Sequence, residues 1–577
     1  MLPIAIGLGC EEHSAPPVSK APDAAPAVAS PKTPEPPTAT PRQRDVPVTN
    51  PKRAELAFIA EGAAQLALFA QGPGPLAVTI EREGVPIESL RLEVPEERRT
   101  PVVIPLGEGG ARPIGVKVTA PAATTLDRAL LRDLVPPPPS APMLAASLRG
   151  RSLFLVVCDA LNADHLHCYG AARATSPNID ALAAEGVRFE RARSQSAWTV
   201  PSITTVMTGL EQERHALRDV GIRLAADVPT LAEAFRAAGY ATAAFVQNKL
   251  LTKETGLDRG FELWQEYPGE AKAQLLPALA KYLDEAAKPV SGAGVSGRPL
   301  FTYIHLLAPH APYQPPAEFA TKFGAADAAI DGSVDLLARM IRLTLKADDP
   351  QIAQLAALYD NNVAFGDSLV GEVRRLVRDP QQSAILFLSD HGEEFWQHGT
   401  LGHNVHVYDE MVHVPLIVWA PGSKLPAGRV VREPVALSDL WPTLAELCGI
   451  GGNDEHPGRS FAGLIETTSE ESQAPHVTRL SSRYFDGQPG QRAVAFGPFK
   501  LVAPALGKAN ALFDLTADPN ETADVTAAHP LLATALRGEL SLFASEELVK
   551  PSGPGFKPDA ELQKELRELG YAGADGK

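Results

Sequence analysis

The chain has 577 residues, 45% of them hydrophobic and 21% charged, which is enough apolar material for about three or four packed units. Its 53 Lys and Arg against 69 Asp and Glu leave a net charge of −16, which excludes nucleic acid or an anionic membrane surface as the main partner, because phosphates need a concentrated basic face. Four scattered cysteines rule out a disulfide framework or a Cys-based zinc site, and no apolar run is long enough to span a bilayer.

Residues 1–10 read as the end of a bacterial lipoprotein signal. Leu2 to Gly9 are apolar or small, Cys10 follows, and a polar stretch begins at once. Lipid on Cys10 would hold the protein at the cell envelope, outside the cytoplasm, on the periplasmic side or the cell surface. The other reading is an ordinary leader with a chance cysteine. Residues 11–50 read as a tether: ten prolines fall between Glu11 and Pro47 with no aromatic residue, so the stretch cannot bury enough surface to offset its ordering entropy. From 51 to 135, short alternating runs (Glu55 to Phe58, Leu66 to Phe69, Leu76 to Ile80, Ser89 to Val94, Thr100 to Ile104, Ile114 to Thr119) predict a small β-sandwich-like module. A proline-rich linker at 136–148 then marks a boundary.

Beyond it the text changes to continuous apolar runs, each followed by a polar residue. Phe154 to Val157 leads to Asp159, Ala241 to Val246 to Asn248, Leu300 to Ile304 to His305 and His310, and Ala384 to Leu388 to Asp390 and His391. Such runs, alternating with helical segments at Ile179 to Glu185 and Asp439 to Cys448, predict an α/β doubly wound sheet. Polar residues just past the strand ends converge at the carboxyl edge, where such folds place their sites. One Asp after a strand is usually a turn residue; four strands delivering Asp, His or Asn to one edge point to a site. Pro201 fits a first helical turn, which puts Thr199 at a helix N-terminus, where free N–H groups favour an anion. Taken alone, Thr199 is better read as a helix N-cap.

Together the segments resemble the sulfatase family of the alkaline phosphatase superfamily, from about Leu153 to Pro530. The pieces come in family order: Val156-Val157-Cys158-Asp159, Ala163-Asp164-His165-Leu166, Thr175-Ser176-Pro177-Asn178, the Thr199 turn, Gly260-Phe261, His310-Ala311-Pro312-Tyr313, Ser389-Asp390-His391-Gly392-Glu393, Gly402-His403, and late in the chain Asp518-Pro519-Asn520-Glu521. The resemblance implies a catalytic domain over 149–475 and a C-terminal α+β subdomain and tail over 476–577. It also implies a metal site formed by Asp159, Asp390 and His391, with Thr199 as the ligand that becomes the nucleophile.

Departures from the family pattern decide the chemistry. Sulfatases carry Cys or Ser, oxidised to formylglycine, at the position of Thr199 and Arg at the position of Ile203. Threonine cannot give the aldehyde, because its carbinol carbon bears a methyl group, so no formylglycine is expected. A threonyl adduct suits phosphorus, since in-line attack releases it and regenerates the nucleophile. Phosphate or phosphonate ester chemistry is therefore expected ahead of sulfate ester hydrolysis without formylglycine. The reading from another class is a binding lipoprotein that kept the fold and lost activity. Ala160 stands where calcium-binding sulfatases have Asp, and His391 where they have Asn, which puts Zn²⁺ or Mn²⁺ ahead of Ca²⁺. Ala308 replaces an Asp common in relatives, so one ion is expected and a second is left open. His310 and His403 are expected as catalytic groups, and His305, Asn248 and Lys249 as contacts to a small-molecule, glycan or lipid ester. Lys249 reads equally as a solvated lysine.

Overall fold

The computed structural model of the chain describes strand segments between residues 42 and 134, and residues 143–545 apart from 289–296, 342, 344, 346–347, 452–457, 467–476, 483–489 and 504–508. Cys10 lies outside the described residues, as does most of the expected tether. Eight strands come first: β1 (Arg42–Val46), β2 (Arg53–Ala60), β3 (Ala63–Gln71), β4 (Leu76–Arg82), β5 (Val85–Leu92), β6 (Val102–Pro105), β7 (Arg112–Thr119) and β8 (Thr125–Leu134). They form two antiparallel sheets ordered β1-β8-β3-β6 and β2-β7-β4-β5. Leu56, Val78, Ile80 and Val116 of one sheet share a single core with Leu66, Leu68 and Leu126 of the other, which makes a sandwich.

Two of these strands differ from expectation. β1 falls inside the stretch read as tether: its sequence is mostly polar, and it is an edge strand held by backbone pairing to β8 alone. In β8 the leucines at 126, 130, 131 and 134 are spaced as on a helix, and the sheet overrides that spacing. The expected linker also ends early. Leu144 and Leu148 are buried, and the Ala146 and Leu148 N–H groups donate to Glu446 and Leu447, so the chain rejoins the core before residue 149.

The central sheet contains β9 (Ser152–Cys158), β10 (Val187–Arg193), β11 (Ala241–Val246), β12 (Leu263–Glu266), β13 (Leu300–Leu306) and β14 (Ser383–Ser389). A short hairpin follows, β15 (Glu394–Phe395) and β16 (Leu401–Gly402). Then come β17 (His413–Trp419), β18 (Arg429–Val431) and β19 (Val435–Ala436). The order is β12-β11-β13-β9-β14-β17-β10-β18, with β19 also on β10. The first five strands run parallel, and β17 is antiparallel to both β14 and β10. Successive residues of β9 alternate between two apolar layers. Leu153, Leu155 and Val157 meet helices Thr199–Thr208, Leu231–Ala237 and Leu440–Cys448, whereas Phe154, Val156 and Cys158 meet Pro177–Glu185, Leu275–Ala286 and Pro350–Leu376. Layers on both faces explain why these strands read as unbroken apolar runs.

Register then fixes the site. Cys158 pairs with both Leu306 and Ser389, and Val246 pairs with His305, so the residues following these strands emerge level at one edge. The C-terminal part is an antiparallel meander, β20 (Val477–Ser481), β21 (Arg492–Phe496), β22 (Phe499–Ala503) and β23 (Ala511–Asp514), followed by helix Pro530–Ser545. Among the described residues no helix is long and apolar enough to cross a membrane.

Candidate active site

Asp159 and Asp390 leave adjacent parallel strands one residue past a paired position, so their carboxylates meet in a fully buried site. Ala160 adopts a left-handed backbone (φ 58°), which turns its N–H to Asp390 Oδ1 at 3.2 Å; the His391 N–H donates to the same oxygen at 3.0 Å. His391 Nε2 lies 3.4 Å from Asp159 Oδ1 and 3.6 Å from Asp390 Oδ2, and its Nδ1 is fixed by the Gly392 carbonyl at 2.9 Å. Thr199 Oγ1 stands 3.3 Å from the same Nε2. The four residues expected to form the metal site are thus brought together.

Thr199 opens the helix Thr199–Thr208, every residue of which is buried, with Trp198 as its N-cap. The first N–H groups of this helix have no intrahelical acceptor and face the site with the positive end of the dipole. Ser202 ties the first turn in place by donating to the Asp390 carbonyl at 2.6 Å. Ile203 is buried in the apolar layer with Val200, Val206 and Met207, where an arginine would have to bring a charge.

Asn248 Nδ2 donates to Asp159 Oδ2 and lies 3.5 Å from Thr199 Oγ1. His305 Nε2 is 3.0 Å from Asp159 Oδ2, and Tyr303, two residues earlier on the same strand face, holds His305 Nδ1 at 2.7 Å. Asp159, His305 and Asp390 each offer a ligand atom, all within 4.8 Å of one another. His305, expected as a substrate contact, is therefore placed among the atoms that could hold a cation. On the open side the His403 ring lies between His391 and His310, with centroid distances of 4.4 and 4.9 Å. Glu393 holds His403 Nδ1 at 2.9 Å. Lys249 is in the wall of an adjoining cleft together with Lys272.

Charge fits a divalent cation here. Asp159 Oδ1 and Asp390 Oδ2 are buried without a hydrogen-bond donor, and both face His391 Nε2. Two such oxygens, an imidazole nitrogen and a hydroxyl make a donor set for a borderline metal. Burial, then the charge of Asp159, pushes Asp390 up to about 6. Burial also opposes ionisation of Asp159, but His310, His305 and His391 hold it well below the usual carboxylate range. Burial would lower the His391 imidazole, yet Asp390 and Asp159 outweigh it and push it up to about 9. His310 is pushed down to about 4, chiefly by burial.

Sequence reasoning missed three supporting residues. Glu393 is part of a quoted motif but carried no assigned role there. Tyr303 was signalled by its two-residue spacing from His305 on a strand. Lys272, on a short helix after β12, had no signal at all.

A family-wide sulfatase profile matches residues 151–450. The Δ4,5-hexuronate-2-O-sulfatase of Bacteroides thetaiotaomicron is 24% identical over 415 residues, covering 65% of this chain and 85% of that protein. Arylsulfatase K of Danio rerio is 29% identical over 189 residues, only 32% of this chain and 36% of that protein. The phosphonate monoester hydrolase of Agrobacterium radiobacter superposes with a TM-score of 0.56 at 22% identity, over 71% of this chain and 100% of that one. With the profile covering the whole central sheet and its carboxyl-edge residues, the chain belongs to the sulfatase family of ester hydrolases.

Proposed function

We propose that the protein cleaves phosphate or phosphonate esters, by hydrolysis or transfer, through Thr199 as nucleophile and with one divalent cation. The observation that carries this reading is the position of Thr199 Oγ1, 3.3 Å from His391 Nε2 at the start of a buried helix and beside two carboxylate oxygens that no hydrogen bond occupies. Ile203 in the apolar core supports it, since nothing there sustains a formylglycine. Asp159, Asp390, His391 and Thr199 would hold the cation, with His305 a further candidate ligand; bound there, Zn²⁺ or Mn²⁺ would lower the hydroxyl pKa and neutralise charge on the substrate oxygens.

Thr199 Oγ, its proton lost to solvent, attacks phosphorus and the P–O bond to the leaving alcohol breaks. His403, protonated on both ring nitrogens, gives that alkoxide the proton from Nε2 while its Nδ1–H stays donated to Glu393. His310, neutral around pH 7 because it is buried, contacts a substrate oxygen instead. Asn248 orients Thr199 and Asp159 together. Water or an acceptor alcohol then attacks phosphorus in line and gives its proton back to His403 Nε2, the threonyl P–O bond breaks, and Oγ recovers a proton from solvent. Throughout, the helix N-terminus faces the transferred group.

Turnover of aryl phosphomonoesters, phosphodiesters, phosphonates and sulfates with Zn²⁺ or Mn²⁺ tests this reading. Thr199→Ala is expected to lose roughly three or more orders of magnitude in kcat, whereas Thr199→Ser keeps substantial activity. Wild-type turnover in Thr199→Ala would leave Thr199 a structural residue of the first helical turn and nothing more. The relatives named as sulfatases favour sulfate esters as the second reading, and a sulfate preference in wild type would establish it. If no ester turns over with any divalent ion, a binding protein that kept the fold is the better account. We further read Cys10 as lipid-bearing: in the native host Cys10→Ser is expected to leave the membrane fraction, and a wild type that is already soluble removes the anchor.

A further inference from the structure

Two cavities of about 350 and 370 Å³ share Lys272, Leu307, Pro312 and Gln314, so they are lobes of one cleft. His310 lines one lobe, which places the cleft against the reacting centre, and Lys249 lines the other. Both lysines come from neighbouring segments that are tied together. Gln247, one residue before Asn248, donates from Nε2 to the Lys272 carbonyl at 2.9 Å, and its side-chain Oε1 accepts from the Leu307 N–H at 2.8 Å. The Lys272 side chain is only partly exposed, and among the described residues its ammonium makes no hydrogen bond or ion pair. Its pKa is lowered by burial first and by the charge of Lys249 second, while Asp159 pulls the other way. Two cations thus line one cleft, where the charge of Lys249 makes it costlier to keep Lys272 protonated, a cost that an anion held there would offset. Leu276, Pro315, Phe365 and Leu369 give the lobe beside His310 an apolar lining, and the exposed Asp335 lines the lobe of Lys249.

We propose that this cleft binds the non-reacting arm of the substrate and that this arm carries a second anionic group, held by Lys249 and Lys272 beside the apolar lining. The substrate class is an ester bearing two separate negative centres: one reacts over Thr199 and the other is recognised by the lysine pair. This rests on the reading of Thr199 as the ester-cleaving nucleophile.

The test uses the full-length, metal-loaded protein and three phosphodiesters that all release 4-nitrophenol. Their second arm is 3-carboxyphenyl, 3-sulfophenyl or the neutral 3-carbamoylphenyl. Wild type is expected to favour the charged arms by about tenfold in kcat/KM, the size of one charge-assisted hydrogen bond. The carboxyl and sulfo arms distinguish a planar from a tetrahedral anion. Lys272→Gln is expected to bring the ratio of charged to neutral arm to within about twofold, and Lys272→Arg to restore it. In wild type the ratio is expected to shrink as salt rises toward about 1 M, where screening is strong. A wild-type ratio near one, or a ratio that survives in Lys272→Gln, overturns the proposal. Calorimetric binding of 3-carboxyphenylphosphonate against its 3-carbamoyl analogue separates the two readings. If binding discriminates by charge through Lys272 but nothing turns over, the anion site stands and the hydrolase reading falls. If turnover occurs with no discrimination in either measurement, the hydrolase reading stands and the anion site falls.

Discussion

A proton and a metal ion compete for the same atoms around Thr199, and the buried charges set the terms. His391, pushed up to about 9 by Asp390 and Asp159 against its burial, carries a proton at neutral pH in the metal-free protein. Asp390, raised to about 6 by burial and by Asp159, is mostly ionised there. A ligand must be deprotonated to bind, so metal affinity is expected to rise with pH and to level off only above about 9. At pH 7 uptake of one divalent ion should release about one proton, and near pH 5 Asp390 should add to that count. Calorimetry in buffers of different ionisation enthalpy reads this number. A count of zero at pH 7 removes His391 from the ligand set. Asp390→Ala deletes one of the two donorless oxygens, and elemental analysis should find it stripped of metal, with turnover abolished. Full metal occupancy in that variant would place the ion elsewhere, with His305 the first residue to re-examine.

One element reaches the site from the C-terminal meander. Lys500 on β22 is fully buried and donates to the Val407 carbonyl at 2.9 Å, Asp409 Oδ1 at 2.7 Å and Glu521 Oε2 at 2.8 Å. Asp409 opens the short helix Asp409–Val412 and also receives both Arg193 contacts, at 3.1 and 2.9 Å. That helix backs the catalytic loop: the Gly392 N–H donates to the Met411 carbonyl at 2.7 Å and the Glu393 N–H to the Glu410 carbonyl at 3.0 Å. The approach is so close that a Cβ at residue 392 would stand 2.1 Å from the Glu410 oxygen. Lys500→Met leaves the buried Glu521 and the half-buried Asp409 with less compensation, and is expected to cost about 3–5 kcal/mol in urea unfolding. A loss below about 1 kcal/mol would mean that Arg193 and the backbone donors suffice. None of this was legible in the sequence. Asp518-Pro519-Asn520-Glu521 was recognised by resemblance, but Glu521 lies in a loop and the buried cation it faces lies on strand β22. The strand-end residues Asp159, Asn248, His305 and Asp390 were legible because a doubly covered parallel strand leaves an unbroken apolar run with one polar residue at its end. β1 and β8 were not, because backbone pairing rather than side-chain pattern places them. Lys272 was not either, since a lone lysine on a short helix acquires meaning only from the cleft it lines.

At the scale of the whole molecule, helix Pro530–Ser545 joins the N-terminal sandwich to the C-terminal meander. It packs on the C-terminal meander through Val494, Phe496, Leu501 and Leu512, and on the N-terminal sandwich through Ala57 of β2. Two glycines allow the approach: a Cβ at Gly115 of β7 would stand 2.9 Å from Leu531 Cδ1, and one at Gly538 would stand 3.2 Å from the Ala57 carbonyl oxygen. The guanidinium groups of Arg479 and Arg492 sit 5.5 and 5.4 Å from the Phe543 ring centre and close the same seam. A sandwich held this way unfolds with the body for as long as the seam stays dry and close-packed. Leu536, fully buried in that seam, is the test position. Leu536→Ala removes packing and leaves a cavity, which is expected to cost about 2–5 kcal/mol. Because the cost falls on the contact between parts and not on the central sheet, scanning calorimetry should show the single wild-type transition split in two, with the lower one carrying the sandwich. The residues around Thr199 lie outside that seam, so turnover at 25 °C should stay within about twofold of wild type. A single transition shifted as a whole would mean that the sandwich is held to the body by contacts other than this helix.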